Sequence, residues 1–446
     1  MEPHSIMLLR HGSVFAQGWW APFAPSYLHA LRSISKTFTA TALGFAVAEG
    51  LVGLDDPVIA YFPEFANEVP ARSRAILVRH AAAMATGHDG DMAQAAIVTD
   101  RHEPVRGLLL HEPECEPGTV FAYNQPATYA IAAIVQRRAG VTIHEYLRPR
   151  VLEPLGIEGV VWQEYPAGRN LGFSGLFTTT DAVAKLGLLY LLDGRWEGRQ
   201  LLPAGWAGQV RARHVSTLGE AGLDWQQGYG FQMWQSRHGY RADGAFGQFC
   251  LVLPDHDAVV VMTASTQAMQ DVLDLVWRHL LPAFGDGPIT PTAVDEALQV
   301  RLARLALPAP GGSSRPPSDA SVGLYRVLPG TTSAAGAPRV AHLERDGDAW
   351  FVSLQEDGVV LRLPVPGGRW VTVRPSALMP PLATAGGWRE GALRLDVLFL
   401  QTPHRLHLVL HPDRRLETRW RAAPHGLFMT ELPNLRTFLA GQPRVA

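Results

Sequence analysis

The stretch LRSISKTFTATALGFAVAEGLVGLDDPV, residues 31–58, decides the fold, and it turns on one lysine. Between Ser33 and Ala48 the only charged side chain is Lys36. The chain holds 39 Lys plus Arg, yet lysine stands only at Lys36 and Lys185. Phe38, Ala42, Leu43, Phe45, Ala46 and Val47 occupy almost every face of a helix read from Ser33 to Glu49. Such a helix is buried all round, and Gly50 suits its end. Residues three apart share a helix face, so Ser33 Oγ and Lys36 Nζ can meet. Burial disfavours the charged ammonium and lowers its pKa. A neutral lysine can then take the serine proton; arginine keeps its own. The S-x-x-K spacing also arises by chance, and a serine near a helix start ordinarily caps it. The tetrapeptide alone therefore leaves nucleophile and cap both open.

Working outward, SIMLLRHGSVFAQGWW reads as a hairpin turning at Arg10-His11-Gly12. Residues 71–194 read as mostly helical, with Thr180 or Asp181 as the candidate cap of the last helix. From Tyr229 the pattern becomes three strands joined by tight turns, followed by a helix from Gln270 to Phe284. Strands at both ends with helices between them predict an α+β fold: an antiparallel sheet flanked by helices, with an inserted helical region. Residues 306–323, ALPAPGGSSRPPSDASVG, have linker composition. Beyond them, short alternating segments such as RWVTVRP and LRLDVLFLQ predict an all-β domain, a small barrel or curved sheet. The expected spans are a catalytic domain over 1–290, a helix and Pro/Gly/Ser-rich linker over 291–322, and the β domain over 323–446.

Composition narrows the function. At 446 residues the chain exceeds what one core supports. Its net charge of -2 offers no electrostatic footprint for nucleic acid. No run of 18 uninterrupted apolar residues occurs, and MEPHSIMLLRHGSVFAQGWW lacks a basic region followed by an apolar core. The expectation is a cytoplasmic protein without membrane partner or signal peptide. Two cysteines, Cys115 and Cys250, make no disulfide framework, and one bond between them stays open. Homo-oligomerisation is likewise open.

Four segments together carry a family resemblance. LRSISKTFTATALGFAVAEGLVGLDDPV resembles the first motif region of the serine beta-lactamase and penicillin-recognising superfamily, and VRHAAAMATG, residues 78–87, resembles that family's R-H-L-L-x-x-T-S-G helix and loop. The branch is that of class C beta-lactamases, DD-peptidases and related esterases, and the resemblance covers roughly residues 4–285. It implies a beta-lactamase/transpeptidase-like fold, with Ser33 as nucleophile and Lys36 as general base. In GTVFAYNQPATYA, Tyr123 falls on the family's proton-transferring tyrosine. Gln125 stands where the family has Asn or Ser, and Asn124 lies one place early; both are candidate substrate contacts. In HGYRADGAFGQF, Ala242-Asp243-Gly244 stands where the family has Lys-Thr-Gly or His-x-Gly. The backbone N–H of Ala245 joins that of Ser33 as an oxyanion donor, and Arg241, Asp243 and Gly244 become candidate substrate-binding residues. The resemblance implies no cofactor and no metal.

The missing third-motif cation and Gln125 favour small esters or amides as substrates. A beta-lactamase or D-amino-acid peptidase is the alternative, and a non-catalytic binding protein on the same fold is a third. Other polar clusters have plainer readings. His88, Asp89 and Asp91 form a polar loop with metal-ligand residue types. Asp255-His256-Asp257 reads as a turn. Trp19, Trp20, Trp225 and Trp234 are core residues or an acyl-pocket lining.

Overall fold

A computed structural model describes residues 1–285, 292–329, 337–356, 359–375 and 380–424. Of the expected domain spans, residues 286–291, 330–336, 357–358, 376–379 and 425–446 lie outside the described residues. Contacts divide the chain into two units. One holds residues 3–18 and 30–300; the other holds Glu2, residues 19–29 and residues 301 onward.

The first unit is built on β1 (Glu2–Arg10), β2 (Ser13–Trp19), α1 (Ser35–Ala48), α2 (Gln125–Ala139) and α3 (Thr180–Leu191). It continues with β3 (Trp234–Gln235), β4 (Tyr240–Gly244), β5 (Gln248–Leu253), β6 (Ala258–Ser265), α4 (Met269–His279) and α5 (Ala293–Ala303). The strands form one six-stranded sheet in the order β2-β1-β6-β5-β4-β3. The β3–β4, β4–β5 and β5–β6 pairs are antiparallel. Every residue of QFCLVL in β5 and AVVVMTAS in β6 is buried, because helices cover both faces. Val272, Leu273, Val276 and Trp277 of α4 pack on Phe249, Leu251 and Val260. On α3, Gly187 lies so close to the sheet that a Cβ there would meet Cys250 Sγ at 2.6 Å. Thr179, rather than Thr180 or Asp181, caps this helix by accepting from the Ala182 N–H.

Helix α1 lies at the heart of the unit, with every residue from Ser35 to Gly44 buried. Its threonines avoid unpaired hydroxyls by local bonds. Thr39 donates to the Gly172 carbonyl at 2.9 Å. Thr41 donates to the Thr37 carbonyl at 2.8 Å and bonds to the Tyr190 hydroxyl. The expected start at Ser33 is displaced to Ser35. Arg32 adopts φ 54°, which no α-helix accommodates, so Ser33 sits in a 3-10 turn ahead of the helix. Both cysteines are free. Among the described residues, no helix is long and apolar enough to cross a membrane.

The second unit is strand-rich. β7 (Gly323–Arg326), β8 (Val340–Asp346), β9 (Ala349–Glu356) and β10 (Val359–Pro364) form one sheet in chain order. β11 (Val371–Val373), β12 (Leu382–Arg389), β13 (Ala392–Phe399), β14 (Arg405–Leu410) and β15 (Leu416–Trp420) form another. The expected barrel or curved sheet is, among the described residues, two separately bonded antiparallel sheets, with an isolated bridge between Arg326 and Arg415. Residues 19–29 join this unit through paired backbone bonds. Ala21 donates to the Leu305 carbonyl at 2.9 Å, and Leu307 donates back at 2.8 Å. Trp20 packs there with Phe23, Leu307 and Leu398.

Candidate active site

The turn at Arg32–Ile34 brings Ser33 to the N-terminal end of α1. Ser35 locks that turn: its hydroxyl donates to the Arg32 carbonyl at 2.6 Å and accepts from the Leu176 N–H at 3.2 Å. One residue on, Lys36 is 1% exposed. Its Nζ lies 3.0 Å from Ser33 Oγ, 2.6 Å from Gln125 Oε1 and 2.8 Å from the Phe173 carbonyl. Burial pushes the Lys36 ammonium down to about 7, against the opposing charges of Asp91 and Asp243.

Gln125 Oε1 and the Phe173 carbonyl can only accept. A neutral Lys36 must therefore give them its two N–H groups. Its lone pair is left facing Ser33 Oγ. The sequence expectation put Gln125 against substrate; in the structure it begins α2 and orients the lysine. The Phe173 carbonyl was not anticipated from sequence. Its loop, LGFSG at residues 171–175, carries glycines at positive φ, and Gly172 leaves no room for a Cβ against Ala132.

Tyr123 lies beside this pair, with Lys36 Nζ 4.8 Å from its ring centroid. Burial, then the Asp243 charge, hold its phenol well above the ordinary range, although hydrogen bonding with Ser33 opposes them. A phenolate is thus unavailable near neutrality, while a neutral Lys36 is available. Tyr123 belongs to an aromatic cluster. It stacks on Trp234 at 5.5 Å, and Tyr229 and Phe121 meet Trp234 edge-on. Trp225 meets the other side of Trp234 at 6.5 Å.

Strand β4 delivers the third segment. A Cβ on Gly244 would sit 2.3 Å from the Leu31 carbonyl and 3.1 Å from the Ser33 nitrogen. Only glycine lets the strand approach the serine turn this closely. Gln248 then fixes the next residues. Its amide donates to the Ala245 carbonyl at 3.1 Å and the Ala264 carbonyl at 2.9 Å, and accepts from the Ala264 N–H. The structure thus brings together Ser33, Lys36, Tyr123, Gln125 and the Gly244–Ala245 segment.

The remaining candidates are placed differently. Arg241 is wholly buried, so it does not offer its charge to solvent. It donates to the Asp224 and Gln235 carbonyls, to Ser236 Oγ and to Asp243, and lies 4.4 Å over the Trp225 ring. Asp243 is largely buried as Arg241's partner, and burial raises its carboxyl above the ordinary range. Asn124 is buried too; it donates to Thr86 Oγ1 and accepts from the Met92 N–H, tying two loops together. Asp91 accepts from the Gln125 and Ala93 N–H groups, supporting the start of α2. His88 bonds to Thr86 and the His111 carbonyl. Among the described residues no group of three His, Cys, Asp or Glu is arranged to hold a metal ion.

A family model described as Beta-lactamase matches residues 4–282. The chain belongs to the beta-lactamase family. Within that family it is similar to a "Beta-lactamase" of Yersinia enterocolitica, 26% identical over 137 residues. That alignment takes in 31% of this chain and 34% of the relative, so the chain spans about a third of that relative's length. It is 25% identical over 293 residues to a "6-aminohexanoate-dimer hydrolase" of Paenarthrobacter ureafaciens, covering 58% of this chain and 72% of that one. The fold matches the solved structure "EstCE1, a hydrolase with promiscuous acyltransferase activity", with a TM-score of 0.51 and 18% identity. That match covers 63% of this chain and 93% of the other.

Proposed function

We propose that Ser33 attacks the carbonyl of a small ester or amide and forms an acyl-enzyme. The observation that carries this reading is the Lys36 amine, buried and 3.0 Å from Ser33 Oγ. Ser33 Oγ bonds to the carbonyl carbon as its proton passes to Lys36. The carbonyl electrons move onto oxygen, and the Ser33 and Ala245 N–H groups donate hydrogen bonds to that oxyanion. Such a donor contributes about 3–4 kcal/mol to the transition state. Collapse expels the alkoxide or amine, which takes a proton relayed from Lys36 through Tyr123. Water then attacks the acyl-enzyme by the reverse proton route.

Two names among the similar proteins bear on acyl transfer: a 6-aminohexanoate-dimer hydrolase and a hydrolase with acyltransferase activity. They support esters and amides as acyl donors here. Hydrolysis of beta-lactams or D-alanyl peptides is the weaker reading. Ala242 replaces the motif cation, and Arg241 is turned inward to Asp243 and three other acceptors. Those bonds use its Nε and Nη1 and the guanidinium is wholly buried, so a substrate carboxylate meets no solvent-exposed cation at this position. Intact-mass spectrometry after incubation with p-nitrophenyl esters, D-alanyl amides and penicillins tests this. The expected outcome is an acyl adduct on Ser33 from the esters, absent in Ser33→Ala. Turnover by Ser33→Ala equal to the wild type would refute the mechanism. Faster turnover of penicillins than of esters would reverse the substrate order.

A further inference from the structure

Two non-glycine residues flank the proposed oxyanion donors in left-handed backbone conformation. Arg32, immediately before Ser33, has φ 54°; Phe246, immediately after Ala245, has φ 72°. L-residues rarely adopt this conformation, and it persists where the surroundings enforce it. Both side chains are buried, at 6% and 1% exposure. They also meet each other: the Arg32 guanidinium lies over the Phe246 ring, 5.3 Å from its centroid.

The contact crosses the seam at which the two donor segments abut. At Gly244 a Cβ would come within 3.0 Å of Arg32 Cβ. Arg32's dihedrals set the peptide plane that carries the Ser33 N–H. Phe246 follows the peptide whose carbonyl, that of Ala245, is held by Gln248. Its own carbonyl accepts from the Thr266 N–H at 3.1 Å, anchoring the turn to the end of β6. Each segment is thus fastened within its own element, and the guanidinium–ring contact is a side-chain link between them. A desolvated cation over an aromatic face is a strong form of that contact.

We propose that Arg32 and Phe246 are positioning residues whose stacking holds the Ser33 and Ala245 N–H groups in register as an oxyanion site. The inference rests on the Ser33 acyl-enzyme reading. Neither side chain touches substrate; each acts through the backbone beside it. An arginine suits the role because its planar guanidinium stacks on a ring, while a lysine supplies only a compact charge.

The test uses the full chain with p-nitrophenyl butyrate as substrate and phenylboronic acid as a tetrahedral mimic on the serine. Arg32→Ala and Arg32→Gly are expected to lower kcat about tenfold or more, with KM within about twofold. Their affinity for phenylboronic acid falls by a similar factor. Arg32→Lys recovers part of both. Phe246→Leu matches Arg32→Ala, and the double variant is less impaired than the product of the single losses, as for a shared contact. Arg32→Gly is decisive, because glycine takes the left-handed turn freely. Wild-type kcat and boronate affinity in Arg32→Gly would overturn the proposal. So would losses in Arg32→Ala that follow thermal stability alone and leave boronate affinity intact. If Arg32→Ala does not fold, Arg32→Lys and Phe246→Leu carry the same kcat and boronate comparison. Ser33→Ala separates the two levels. Activity remaining in it refutes the nucleophile assignment; its inactivity beside a wild-type Arg32→Gly refutes the positioning role alone.

Discussion

Lys36 is expensive to bury, and the cost is what makes it useful. Its depression to about 7 places the neutral amine within physiological reach. The rate kcat/KM should rise about tenfold per pH unit below 7 and level off above it. An acid limb centred near 9 or 10 would mean that burial does not depress Lys36. Lys36→Arg keeps a positive charge but cannot lose its proton, so acylation by p-nitrophenyl esters should fall by about 10²–10⁴. The same burial affects stability. In the unfolded chain the lysine returns to near 10.5. Between about 7 and 10.5 the unfolded state binds the extra proton, so the lysine's contribution to stability rises with pH across that window. Below 7 both states are charged, and the full cost of burying the ammonium remains. Against Lys36→Met, the wild type should therefore gain relative stability from about pH 6.5 to about pH 9.5 in urea unfolding. A constant difference would contradict the desolvation argument.

At the scale of elements, the site depends on how closely β4 can approach the turn before α1. Gly244→Ala would force a methyl to 2.3 Å from a backbone carbonyl, which cannot swing aside as a side chain does. The strand must retreat, taking Ala245 with it. We expect a loss of about 1–3 kcal/mol in stability and about a hundredfold in kcat, read by urea titration and ester turnover. Wild-type kcat in that variant would show that the seam tolerates separation. The same seam marks the limit of sequence reading. That Ser33, Lys36 and Tyr123 lie together was legible because a lone lysine in a charge-free helix and a motif spacing both lie along the chain. The apolar runs of β5 and β6 were legible because both faces are covered. Gln125 as a partner of Lys36 was not, since its first-turn position on α2 and the Phe173 loop meet only in three dimensions. Nor was the start of α1, since nothing in LRSIS signals the left-handed Arg32. Arg241 was a candidate substrate contact; only the packing of Asp243, Trp225 and the Asp224 carbonyl reveals that it faces inward.

At the scale of the whole molecule, the reading along the chain ends the first domain at residue 290 and begins the β domain at 323, whereas contacts assign Glu2 and residues 19–29 to the C-terminal unit. Within that unit a buried ion network accounts for part of this. Arg405 pairs with Glu2, 403 positions away, and with Asp396, which also accepts from His407 at 2.7 Å. Arg405 and Glu2 are 8% and 4% exposed by side chain, so removing one partner strands the others out of water. Arg405→Met should therefore destabilise the unit by about 3–5 kcal/mol. Loss of hydrogen-exchange protection in β13 and β14 is the direct readout, because Asp396 and Arg405 stand on those adjacent strands. Replacing all three charges together, as Glu2→Leu, Asp396→Leu and Arg405→Met, removes the desolvation cost along with the attraction. That triple variant should recover most of the lost protection, as apolar substitution of buried ion networks can. Equal damage in the single and triple variants would mean that Arg405 stabilises the unit by packing its stem and its face against Trp370, 5.2 Å away, rather than by charge.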